Sequence, residues 1–222
     1  TEHPYQVSSW SEMKDYYDPN DVIRAAAMMV SVSDQFKGNN NFEYDLVDIV
    51  RQAIAEKGRL TEKVVEAAFA AGDKKLYKDA SDRFLRLILL QDELLATRPE
   101  FKVGTWIARA RSLGNTSEEK DLYEWNARVQ ITTWGNRLAA DEGGLRDYAH
   151  REWNGILKDF YYMRWKTWFD YQTRLLDGKK TAAIDFYAIE EPWTKQTNPY
   201  SNEPEGDCIP TVQRIFAEIF GK

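Results

Sequence analysis

From Asp18 to the C-terminus, apolar residues recur at three- and four-residue spacing, and two-residue alternation is almost absent. Helices with one apolar stripe bury it only against other helices, so the expected fold is all-α: one domain of seven or eight packed amphipathic helices over residues 18–222. Residues 1–17 read as an N-terminal linker or docking segment.

Start and stop signals divide the pattern. Asp18-Pro19 puts a capping carboxylate ahead of a proline at the first helical position, and Val22, Ile23, Ala26, Met29 and Val30 follow on one face. A polar break at 37–41 precedes a long rod with Leu46, Ile49, Val50, Ala53 and Ile54 inward, running through Gly58 toward Ala71. A third helix carries Leu76, Ala80, Phe84, Leu87, Leu94 and Leu95 and stops at Arg98-Pro99. Trp106, Ile107, Ala110 and Leu113 form the next. Thr116 and Glu119 have capping-box spacing and open a helix expected to bury Leu122, Trp125, Val129 and Thr132 and to reach Trp134-Gly135. Residues 144–176 predict one long helix buried on more than one face. A short helix over 181–193 is expected to break at Glu191-Pro192, and Val212, Ile215, Phe216 and Ile219 mark the last one.

Aromatic residues make up 14% of the 222, including 8 Trp and 12 Tyr, which means a thick core or aromatic surface facing a partner domain or a sugar ring. A net charge of -6 with no dense basic cluster argues against a nucleic-acid partner. A lone cysteine, Cys208, rules out an internal disulfide, and with only His3 and His150 no metal site and no cofactor are expected. The most apolar run, 84–95, carries Arg86, Asp92 and Glu93, so no membrane span is expected. The opening TEHPYQVSSW has no secretory-signal pattern.

No nucleophile elbow, phosphate-binding glycine loop, dinucleotide fingerprint or zinc-protease motif occurs. The adjacent acids Glu118-Glu119, Asp141-Glu142 and Glu190-Glu191 read as solvated charges, and Asp147 with His150 as a helix-surface pair. Arg128 stands among apolar positions, where a guanidinium would hold a buried carboxylate or a backbone terminus.

The segment NARVQITTWG at 126–135, then LRDYA at 145–149, WNGILKDFY at 153–161 and Arg164-Trp165, resembles the C-terminal helical domain of the α-N-acetylglucosaminidases, glycoside hydrolase family 89. YDLVDIVRQA at 44–53 resembles the same domain. The resemblance implies a piece of a retaining glycosidase whose two catalytic glutamates lie in a barrel domain that this chain does not contain. The helical domain would pack beside that barrel and complete the pocket for terminal α-linked N-acetylglucosamine. Trp134, Tyr148 and Leu145 would contact the sugar, with Arg128 and Asp147 as structural support. The chain alone would then be inactive. Its location would be lysosomal in an animal, and secreted or periplasmic in a bacterium. A stand-alone carbohydrate-binding or helical interaction domain is the alternative, and the Asn136–Gly144 loop is the part that does not match the family pattern.

Overall fold

The computed structural model describes residues 16–142, 144 and 146–221, so most of the proposed N-terminal segment and Leu145 lie outside the described residues. Among those described, the fold is all-α: eight α-helices with short 3-10 and π turns, and no strand beyond one isolated bridge. The chain forms two compact units, residues 100–202 and residues 16–99 with 203–221.

The second of these is built on α2 (Asn40–Ala71), which contacts α1 (Pro19–Val32), α3 (Lys74–Ala96) and α8 (Cys208–Phe220). Each helix starts as its residues dictate. Asp18, Asn39 and Asp73 accept backbone N–H groups at the heads of α1, α2 and α3, and Pro19 occupies the first turn. The 32-residue α2 runs straight through Gly58, whose bare Cα faces the ring of Phe84 on α3. It ends at Gly72, whose φ of 69° is a left-handed cap. Leu46, Val47, Val50 and Ile54 of α2, Leu87, Leu94 and Leu95 of α3 and Val212 and Ile215 of α8 are all buried in the core.

The first unit contains α4 (Val103–Arg111), α5 (Ser117–Gln130), α6 (Tyr162–Leu176) and α7 (Phe186–Thr194). Both halves of the capping box form: Thr116 Oγ1 accepts from Glu119 N–H, and Glu119 Oε2 accepts from Thr116 N–H. Four expectations fail here. Helix α5 stops at Gln130, because Thr132 Oγ1 donates to the Arg128 carbonyl at 2.6 Å and Trp134, at φ 63°, turns its N–H back to the Val129 carbonyl at 2.8 Å. Its buried face is Glu124, Ala127 and Arg128, leaving Leu122 and Trp125 exposed, since the ion pair and not the apolar stripe points inward. The expected helix over 144–176 is interrupted: Asp147, His150 and Gly155 have φ of 59°, 44° and 91°, which no right-handed helix accommodates. The chain turns at 146–149, passes through a π turn at Leu157–Tyr161 and becomes α-helical only at Tyr162. Finally, α7 begins at Phe186, where Asp185 accepts from Ala188 N–H, and carries Pro192 in its last turn without breaking.

Candidate functional site

The two segments flanking the 136–146 loop come together. Asp147 N–H donates to the Thr132 carbonyl at 2.6 Å, so the residues after each are neighbours in space. Trp134 and Tyr148 pair with ring centroids 5.4 Å apart and planes tilted by 53°. Both stay open to solvent, at 38% and 59%. They help line a cleft of about 330 Å³, with Trp106, Gln130, Ile131, Ala149, Arg151 and Trp153. That is the low end of the range for small-ligand pockets. Also in this lining, Trp106 and Trp153 lie 6.1 Å apart, Trp106 Nε1 donates to the Ala127 carbonyl at 2.9 Å, and the Arg151 guanidinium rests over Trp153.

Trp134, Asp147 and His150 are the described non-glycine residues with positive φ, and all three border this cleft segment. A left-handed backbone costs a residue with a Cβ on the order of 1–2 kcal/mol, and such strain persists only where the surroundings over-determine it.

For Asp147 the surroundings are a buried ionic cluster. Asp147 is not on a helix surface with His150; it is buried, accepting from the Tyr161 hydroxyl at 2.5 Å and from Arg164 Nη1 at 2.7 Å. Arg164 Nε donates to Glu190 Oε1 at 2.6 Å, and Arg146 Nη1 lies 3.6 Å from the same oxygen. Glu190 is therefore fully buried against the guanidiniums and not a solvated acid; burial raises its carboxyl pKa, and Arg164 and Arg146 pull it part of the way back down. Burial works against the Arg164 charge, but Glu190 and Asp147 hold its pKa above the usual arginine value. Burial, followed by the Asp147 charge, lifts the Tyr161 phenol well above its ordinary range, so it stays a hydrogen-bond donor.

Arg128 is completely buried one turn from Glu124, and its guanidinium also meets the carbonyls of Asn198 and Trp193. It lies between the Trp193 and Tyr200 rings, at 4.8 and 5.3 Å from their centroids. This ties the 195–200 loop to α5 but places no Arg128 atom on the cleft.

Of the residues expected to contact sugar, Trp134 and Tyr148 are thus brought together, while Leu145 lies outside the described residues. Sequence reasoning missed Trp106, Gln130, Arg151 and Trp153, because helical spacing assigned both tryptophans to the core. It also missed Arg164 and Glu190 as partners of Asp147. Among the described residues no cluster of three or more His, Cys, Asp or Glu side chains could hold a metal, and no helix is long and apolar enough to cross a membrane.

The chain is similar to larger proteins. Human alpha-N-acetylglucosaminidase is 26% identical over 215 residues, which is 92% of this chain and 28% of that protein. A family 89 glycoside hydrolase from Clostridium perfringens, solved in complex with 2-acetamido-1,2-dideoxynojirmycin, superposes with a TM-score of 0.89 at 36% identity. That match covers 96% of this chain and 25% of the other. A variant of the Clostridium perfringens enzyme in complex with its substrate GlcNAc-alpha-1,4-galactose matches equally well, with a TM-score of 0.89 and 36% identity over 95% of this chain and 25% of that one. The chain therefore spans about a quarter of the length of these relatives. A family model described as the alpha-N-acetylglucosaminidase (NAGLU) C-terminal domain matches residues 2–218, and the chain belongs to that family.

Proposed function

We propose that this domain completes the sugar pocket of a retaining α-N-acetylglucosaminidase, packed beside a catalytic barrel in the same polypeptide. The observation that carries the reading is the Trp134–Tyr148 pair, open to solvent in the lining of a cleft, in a family whose relative is seen with a GlcNAc-terminated substrate. The C–H face of a pyranose packs on an aromatic ring, while an indole N–H or phenol O–H at the ring's edge meets a hydroxyl or an acetamido group. Leu145 is assigned to the same wall on the family resemblance, and Arg128 and Asp147 to its support.

Retaining hydrolysis needs two carboxylates about 5–5.5 Å apart flanking the bond, one as nucleophile and one as acid/base. Those are assigned to the barrel, so this chain by itself should not turn over an aryl α-N-acetylglucosaminide. Turnover by the pure chain would place the acid/base pair here and overturn the reading. In a polypeptide that carries both parts, Trp134→Ala and Tyr148→Ala should raise KM for a terminal N-acetylglucosaminide. The compartment would follow the organism, secreted or periplasmic in a bacterium and lysosomal in an animal.

The exposure of both rings also favours a second reading, an independent carbohydrate-binding domain. Titration of the isolated chain with N-acetylglucosamine separates the two: saturable binding at Trp134 and Tyr148 supports the independent module, and its absence supports a wall that needs the barrel.

A further inference from the structure

The Trp134–Tyr148 corner is built on backbone that does not hold itself in place. Asp147, immediately before Tyr148, sits at φ 59°, and its carboxylate is clamped on both oxygens, by the Tyr161 hydroxyl at Oδ1 and by Arg164 Nη1 at Oδ2. Arg164 is in turn held from the far side, its Nε donating to Glu190 Oε1 at 2.6 Å. Glu190 belongs to α7 and lines no part of the cleft.

Electrostatics makes Glu190 more than a neighbour. The cluster contains two guanidiniums, Arg146 and Arg164, and two carboxylates, Asp147 and Glu190, with Arg164 and Glu190 almost completely buried. Without the Glu190 charge, Arg164 would lose its α7 contact and Arg146 the carboxylate 3.6 Å away, leaving both guanidiniums less compensated in a low-dielectric setting. The geometry also specifies arginine. One planar group presents Nε to α7 and Nη1 to the Asp147 turn, a division that a lysine ammonium on a flexible stem cannot reproduce. Glu190 Oε2 is buried without a hydrogen-bond partner among the described residues, so the contact with the guanidiniums falls on Oε1.

We propose that Glu190 is a positioning residue for the sugar-facing corner: it holds Arg164 in the orientation that clamps Asp147, and so keeps Tyr148 against Trp134. The functional meaning rests on the pocket-wall reading above, but the positioning is tested on the loop itself.

The experiment is hydrogen exchange at the Asp147 amide, together with the ring-to-ring nuclear Overhauser contact of Trp134 and Tyr148, in the whole chain and its Glu190→Gln variant. Expected are exchange faster by about tenfold or more at Asp147 and loss of the ring contact, with the middle of α6 still protected. Arg164→Lys should reproduce both changes. If Glu190→Gln alone fails to fold, the Glu190→Gln/Arg146→Gln variant removes one charge of each sign and must show the same local loss. Unchanged exchange and ring contact overturn the proposal. So does a loss of protection spread equally over α5, α6 and α7, which would mark a merely structural pair. N-acetylglucosamine titrations of a polypeptide carrying both parts test the other reading separately. A loosened corner with unaltered sugar affinity would sink the pocket wall and leave the positioning role standing.

Discussion

Arg128 and Glu124, one turn apart on α5, meet at a single oxygen: Arg128 Nε and Nη2 donate to Glu124 Oε1 at 2.9 and 2.7 Å, and both residues are buried. Arg111 takes the other oxygen at 2.7 Å, so Glu124 links the end of α4 to α5. Truncating one member of a buried pair leaves an uncompensated charge. Arg128→Ala should therefore lower unfolding free energy by about 3–5 kcal/mol, measured by urea denaturation. Arg128→Met combined with Glu124→Leu should recover part of that loss, because the apolar replacement removes both desolvation costs at once.

Gly155 allows no side chain. At φ 91°, a Cβ there would sit 2.8 Å from both Tyr200 Cδ1 and Val103 Cγ1. Those neighbours belong to a fixed arrangement, since Tyr200 donates to Asp159 at 2.8 Å and Val103 N–H donates to the Asn154 carbonyl. Gly155→Ala should cost on the order of 1–3 kcal/mol from backbone strain alone, with steric displacement of Tyr200 added to it. Thermal unfolding and the Tyr200 ring resonances report the two parts.

Trp134 separates backbone cost from side-chain role. Both Trp134→Ala and Trp134→Gly remove the ring, but only glycine relieves φ 63°. The glycine variant should be the more stable of the two by about 1 kcal/mol, since the left-handed penalty falls on every residue with a Cβ. Equal stability would mean that the backbone relaxes once the indole is gone. Loss of sugar recognition should be the same in both.

Cys208 gives a pH dependence with a definite sign. Burial, with the nearby Glu43 charge adding to it, pushes its thiol up to about 11 from an ordinary 9.0, and Sγ contacts the Glu43 carbonyl at 3.7 Å. A folded pKa above the unfolded one means that the native state binds the proton more tightly. The associated stability is complete below the unfolded value of 9.0 and is lost as pH rises through about 11. Urea midpoints for the parent chain should fall more steeply over that interval than those of Cys208→Ala, and at neutral pH the native thiol should alkylate far more slowly than the denatured one.

The regular parts of the fold were legible because their determinants are local. Asp18-Pro19, the Thr116–Glu119 box and the Gly72 stop each act within one turn, and α2, α3 and α8 carry their own periodicity. Helix α5 was misread in register because hydrophobic spacing counts Leu122 and Trp125 as inward, whereas the buried salt bridge of Arg128 and Glu124 decided the rotation of the helix. The cleft was legible only where family resemblance singled out Trp134 and Tyr148. Left-handed Trp134 has no local signal, Asp147 carries only the weak left-handed tolerance of a short polar side chain, and Glu190 meets Arg164 only once α6 and α7 have packed. Of the aromatic excess, Trp165, Trp168 and Trp193 are core, while Trp134 is open to solvent.

The hydrogen bond from Asp147 N–H to the Thr132 carbonyl also acts as a staple across the neck of the intervening loop. Closing a loop at its base makes the free-energy cost of extra residues grow only logarithmically, at about 0.6 kcal/mol per doubling of length. Extra residues placed after the π turn at Leu138–Glu142, and so clear of buried Ala140, should therefore cost little and leave the rings on either side of the staple in place, which makes this stretch a place to graft a reporter peptide or a specificity-altering segment.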